Sequence, residues 1–127
     1  MHHSRISTIV LDCQLDDLEP AIRFWSAALG KQVEDADQDG DGRYGALATA
    51  DDEPSILLQK VSHESRVHLD IETDDLDAEV ARLEALGARA IAFVRERWWV
   101  MQAPTGHRFC VVQKQREAFG PHLNRWD

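Results

Sequence analysis

Leu11-Asp12-Cys13-Gln14-Leu15-Asp16-Asp17-Leu18 is answered later in the chain by Leu69-Asp70-Ile71-Glu72-Thr73-Asp74-Asp75-Leu76. Each copy begins with an alternating segment, passes through Asp-Asp-Leu and enters a helical pattern that closes on Leu-Gly, at Leu29-Gly30 and at Leu86-Gly87. Shared residues, helix start and helix stop together mark an internal repeat. In the first copy Leu18, Ile22, Trp25 and Leu29 recur at helical spacing, Asp16 or Asp17 is placed to cap the first turn, and Gly30 can take the left-handed position after the last. In the second, Asp74 or Asp75 precedes Leu76, Val80 and Leu83, and Gly87 closes the run. These signals predict helices over 17–29 and 75–86.

The segments 6–13, 44–49, 55–61, 67–72, 90–93, 98–102 and 109–113 are short and rich in β-formers, with a brief strand expected at 31–34. Each copy therefore reads β-α-β-β-β, and a ferredoxin-like order has too few strands to match. The fold class expected is α+β, built from two tandem βαβββ modules, about 6–61 and 66–113, in one domain of 127 residues. A polar arm, 114–127, follows, with Phe119 and Trp126 as apolar anchors. It packs on its own subunit or a neighbour, or lacks fixed structure. His2 and His3 read as a mobile terminus and not as a site.

Fourteen Lys and Arg against 23 Asp and Glu give a net charge of −9. That balance argues against nucleic-acid partners, which select a basic face. No apolar run approaches the roughly 18 residues of a membrane span. Two cysteines and no signal-like start predict a cytoplasmic protein without a disulfide. The acidic stretch 34–53 holds most of the charge. Its Asp35-Ala36-Asp37-Gln38-Asp39-Gly40 imitates a calcium loop, but Ala46 stands where the bidentate Glu is needed, so the stretch reads as a solvated hairpin loop.

Strand parity sorts the remaining residues. Val67, Leu69 and Ile71 share one face of their strand, suited to packing under a helix; His68, Asp70 and Glu72 share the other. By the repeat, Leu11 and Cys13 face a helix, while Val10 and Asp12 face away from it. Cys13 is then a small core residue, Glu72 ends its strand in solvent, and Phe24 and Trp25 are core residues of the first helix. His63 and His107 fall at the surface. Of Trp98 and Trp99, either one packs in the core and one lines the opposite face, or both are packing residues. Cys110 lies on that opposite face, either as a buried inert thiol or, provided their strands meet, as a nucleophile with His68 as its base.

The tandem modules, with Leu11-Asp12-Cys13, Phe24-Trp25, Arg66-Val67-His68-Leu69-Asp70, Arg97-Trp98-Trp99-Val100-Met101 and Gly106-His107-Arg108-Phe109-Cys110, resemble the small glyoxalase-like branch of the glyoxalase/bleomycin-resistance/extradiol-dioxygenase (vicinal oxygen chelate) superfamily. The resemblance implies a cup-shaped mixed sheet, paired modules around a cavity and a homodimer. It also implies four metal-ligand positions, on the first and last strands of both modules. Carried over, these fall on Val10 (or Thr8, on a different anchor), Gln59, His68 and Cys110. Val cannot ligate and Gln is a weak donor, so the expectation is no metal and no cofactor. Instead a small organic ligand would be bound by His68, Gln59, Asp70, Trp98, Trp99, Cys110 and Val10. The alternative is a divalent-metal-dependent lyase or dioxygenase of the same superfamily.

Overall fold

The computed structural model describes residues 1–34, 40–115 and 118–127. The Asp35–Asp39 part of the calcium-loop imitation lies outside them. The elements run β1 (His2–Gln14), α1 (Glu19–Leu29), β2 (Val33–Glu34), β3 (Tyr44–Leu47), β4 (Ser55–Val61), β5 (Arg66–Thr73), α2 (Leu76–Ala85), β6 (Arg89–Val94), β7 (Trp98–Gln102), β8 (Arg108–Gln113) and β9 (Asn124–Trp126). The fold is α+β, and both βαβββ modules are present. The chain divides into two compact units, one of Thr8–Val67 and one of Met1–Ser7 with His68–Asp127.

The two units repeat one topology. In the first, β1 from Thr8 onward pairs parallel with β4, β4 antiparallel with β3, and β3 antiparallel with β2. In the second, β5 pairs parallel with β8, β8 antiparallel with β7, and β7 antiparallel with β6. Each helix is the crossover that a parallel first-to-last pairing demands.

The first unit packs Cys13, Leu18, Leu47 and Leu58 with Leu11, Ile22, Trp25 and Ile56 under α1. Gly45 on β3 permits that approach, since a Cβ there would stand 2.6 Å from Ile22 Cδ1. α1 closes as expected on Gly30 at φ 66°, its N–H donating to Ser26 O. Its start differs. Leu18 is the N-cap, and the Asp17 carboxylate accepts from Glu19 N at 3.1 Å. Pro20 in the first turn has no N–H for a cap to receive, and Leu18 joins the core instead. Phe24 is a correction: it is 62% exposed, edge-on to Trp25, because only the Ile22 and Trp25 side of α1 meets the strands.

The second unit packs Val80, Leu83, Met101 and Val111 with Ile71, Trp99 and Phe109 under α2. Asp75 is the N-cap, its carboxylate accepting from Ala78 N at 3.1 Å. Asp74 is drawn elsewhere, accepting from His3 N at 2.8 Å, with its other oxygen 2.8 Å from His3 Nδ1.

The N-terminus corrects the sequence reading. His2 is buried, its Nε2 2.8 Å from Glu79 Oε1 on α2. The tail takes the first of its three expected courses: β9 pairs antiparallel with His2–Ser4 of β1. Trp126 Nε1 donates to Ser4 Oγ at 2.8 Å, and the Arg82 guanidinium sits 3.9 Å above the Trp126 ring. Arg82 also grips Glu79 through two 2.8 Å hydrogen bonds. Glu79 is fully buried. Burial alone would raise its pKa, but hydrogen bonds from Arg82, His2 and Ser4, with the Arg82 charge, outweigh that and hold the carboxyl below its ordinary value.

Glu72 is the other correction. It is 1% exposed, with Oε1 3.6 Å from Arg5 Nε. It lies inside because Arg5, itself held by Pro121 O at 2.9 Å, covers the end of the strand.

Candidate functional site

The register makes the repeat an atomic equivalence. In the first unit Asp12 of β1 stands opposite Gln59 of β4; in the second Asp70 of β5 stands opposite Cys110 of β8. Two residues earlier on the respective first strands stand Val10 and His68, so Val10, and not Thr8, is the counterpart of His68.

In the second unit Ile71, Phe109, Val111, Trp99 and Met101 face α2. Alternation turns His68, Asp70, Cys110, Val100 and Trp98 to the other face. Asp70, Cys110 and Val100 form one row across three strands. His68 Nε2 is 3.4 Å from Asp70 Oδ1. One donor atom each from His68, Asp70 and Cys110 lies within 4.8 Å of the others. Asp70 Oδ1 is buried and accepts no hydrogen bond from the described residues. The Cys110 thiol is free and half-buried. Trp99 stacks on Phe93 at 5.0 Å on the helix side, which leaves Trp98 as the aromatic on the His68 face.

In the first unit Val10 is buried at 1% exposure and Asp12 at 5%. Gln59 Nε2 donates to Tyr44 OH at 3.5 Å, and Arg66 Nε lies 3.9 Å from Asp12 Oδ2. Cys13 faces the α1 core, its Sγ donating to Leu11 O at 3.3 Å. Burial, then the Asp12 charge, pushes this thiol up, and Cys13 is a buried core residue.

These donors do not fit the four-ligand centre expected of the superfamily's metal enzymes. Val10 has no donor atom, and the amide of Gln59 is neutral and engaged. His68, Asp70 and Cys110 by themselves can do two things. They can hold a borderline cation through nitrogen, oxygen and sulfur, or they can set a base against a thiol. Sequence reasoning named His68, Asp70 and Cys110 among the expected ligand-binding residues, and the structure brings these three together. The sequence left open whether their strands meet, and β5 and β8 are in fact paired neighbours. The burial of Glu72 beside this face went unseen, because its partner Arg5 is distant in sequence.

A family model described as a glyoxalase-like domain matches residues 8–112. No curated protein sequence matches the chain. Among solved structures, a hypothetical protein from Bacillus halodurans is 13% identical, with TM-score 0.66, covering 91% of this chain and 97% of that one. Methylmalonyl-CoA epimerase from Mycobacterium tuberculosis is 19% identical, with TM-score 0.65, covering 88% of this chain and 89% of that one. The Streptomyces coelicolor epimerase in complex with 2-nitronate-propionyl-CoA is 21% identical, with TM-score 0.60, covering 88% and 98%. At these identities the likeness is one of fold. Among the described residues no helix is long and apolar enough to cross a membrane.

Proposed function

Because the chain belongs to the glyoxalase-like family of the vicinal oxygen chelate superfamily, we propose that it binds a small organic molecule and lacks the superfamily's four-ligand metal centre. The observation that carries this is the equivalence of Val10 with His68: a buried apolar side chain stands where a ligating His would be required. The second module offers His68, Asp70 and Cys110 as polar groups, with Trp98 as an aromatic surface for a flat ligand. The reading includes a cytoplasmic location, where both thiols stay reduced.

A thermal-shift screen tests binding. Its ligands are aromatic compounds, thiol conjugates and acyl-CoA thioesters, the last because structural neighbours were solved with CoA derivatives. A true ligand raises the midpoint, and raises it further as its concentration climbs above Kd. His68→Ala then loses one hydrogen bond to a buried ligand group, about 1–3 kcal/mol, or roughly five- to 150-fold in affinity. A screen without stabilisation, or a ligand indifferent to His68→Ala, counts against the reading.

The second reading, a divalent-metal lyase or dioxygenase, is favoured by one observation, the approach of His68, Asp70 and Cys110 to within 4.8 Å. Assembly belongs to the proposal as well: a two-fold homodimer is expected. Sedimentation at micromolar concentration checks it, and a particle of monomer mass contradicts it.

A further inference from the structure

The organic-ligand reading uses Cys110 only as a polar contact, and its thiol is free and half-buried on the His68 face. We infer that Cys110 is a nucleophile, with His68 as its general base and Asp70 as the positioning residue of that base, acting on a neutral α,β-unsaturated carbonyl compound. Three observations on one sheet face carry this. Asp70 and Cys110 are direct partners across β5 and β8. His68 Nε2 lies 3.4 Å from Asp70 Oδ1, and nitrogen, carboxylate oxygen and sulfur fall within 4.8 Å of one another. Asp70 Oδ1 is buried without a hydrogen bond from the described residues, so it can receive an imidazolium N–H once His68 takes a proton. Nucleophile, base and carboxylate thus stand together on one sheet face, the grouping that can activate a thiol.

The class of electrophile follows from the same face. Asp70 beside Cys110 makes it hostile to an anionic reacting group, while Val100 opposite Cys110, with Trp98 further along the same strand face, favours an apolar, flat one. The step balances without a further reactant. The Sγ–H proton passes to the His68 imidazole as sulfur forms a bond to the β-carbon. The C=C pair shifts toward the carbonyl as an enolate, and the imidazolium returns the proton to the α-carbon. One S–H bond and one C=C π bond are lost, one S–C and one C–H bond are made, and nothing is oxidised or reduced.

This inference rests on the organic-ligand reading, and N-ethylmaleimide, itself a conjugated carbonyl compound, tests it separately on the intact chain. Alkylation is followed by mass spectrometry at each cysteine, and slow labelling of buried Cys13 reports in the same sample that the fold is intact. Cys110 is expected to react faster than Cys13. His68→Ala should slow Cys110 by on the order of a hundredfold while leaving Cys13 unchanged, and added imidazole should restore part of the rate. Asp70→Asn should slow Cys110 less than His68→Ala does, with no gain from imidazole. A Cys110 rate unaffected by His68→Ala overturns the inference. So does a slowed rate that imidazole leaves slow, which marks a packing role. Co-purified zinc that blocks alkylation until it is chelated also overturns it. Reversible stabilisation by a ligand in the thermal-shift screen is a different readout. The thiol inference can therefore fail while the ligand reading stands, and the reverse.

Discussion

Glu79→Ala is expected to destabilise the fold by about 3–5 kcal/mol, the range for removing one partner of a buried ion pair. Glu79 is fully buried and joins three segments far apart in sequence. His2 of β1 lies 2.8 Å from its Oε1, Arg82 binds both of its oxygens, and Arg82 in turn lies over Trp126 of β9. Without the carboxylate, a buried imidazole and a guanidinium lose their acceptor at once. The same group sets an acid limit. Its carboxyl is held below the ordinary value, so its contribution is complete above the unfolded-state pKa of about 4.3. The contribution is lost as pH falls below that, through the lower folded value. Urea unfolding at neutral and acidic pH checks both parts. The wild type should lose stability toward acid, and Glu79→Ala should lose less, having already forfeited that contribution. A neutral-pH loss below about 1 kcal/mol, the size of an exposed pair, contradicts the account.

The second large effect is expected at Met101, which is inaccessible to solvent. It sits on β7 opposite Ala90 on one side and Phe109 on the other, and packs with Val80, Leu83 and Val111 under α2. Met101→Ala removes three heavy atoms from a site closed on all sides. The expected cost is about 2–5 kcal/mol, from lost transfer energy and the residual cavity. Met101→Leu conserves volume and should cost less than about 1.5 kcal/mol. Denaturant midpoints at unchanged slope read both. Equal losses for the two variants would mean that volume is not what matters at this position.

What could be read in the sequence was whatever is local. The repeat, the Gly30 and Gly87 stops and the Asp75 cap lie within a few residues of what they control. β4 and β7 begin and end where their β-formers do, at Ser55–Val61 and Trp98–Gln102. Parity alone separated Cys13, in the α1 core, from Cys110, on the opposite face. What could not be read depends on partners far along the chain. His2 and His3 resemble a loose end until Glu79 and Asp74 are placed beside them. Trp126 has a purpose only once Ser4 and Arg82 are its neighbours. Glu72 reads as a solvated strand end until Arg5 covers it. Phe24 failed for a different reason: helical spacing identifies an apolar stripe but not how much of it the sheet is wide enough to cover.

For the candidate site, the sequence placed His68, Asp70 and Cys110 on one kind of face, but not the geometry that brings them together. The carried-over positions Gln59 and Cys110 become equivalent only through register, each opposite the aspartate of its module's first strand. That register also decides between Val10 and Thr8. It places Asp70 against Cys110, turning a cysteine of uncertain use into one member of a group of three.

Metal content of the protein purified without chelator, measured by elemental analysis in the wild type and in His68→Ala, tests the central claim most directly. If Val10 denies the superfamily's metal centre, zinc, nickel, iron and manganese should all be far below one equivalent in both, while His68→Ala still weakens the organic ligand. Near-stoichiometric metal in the wild type that His68→Ala strips away would contradict the account and install the metal-dependent enzyme in its place.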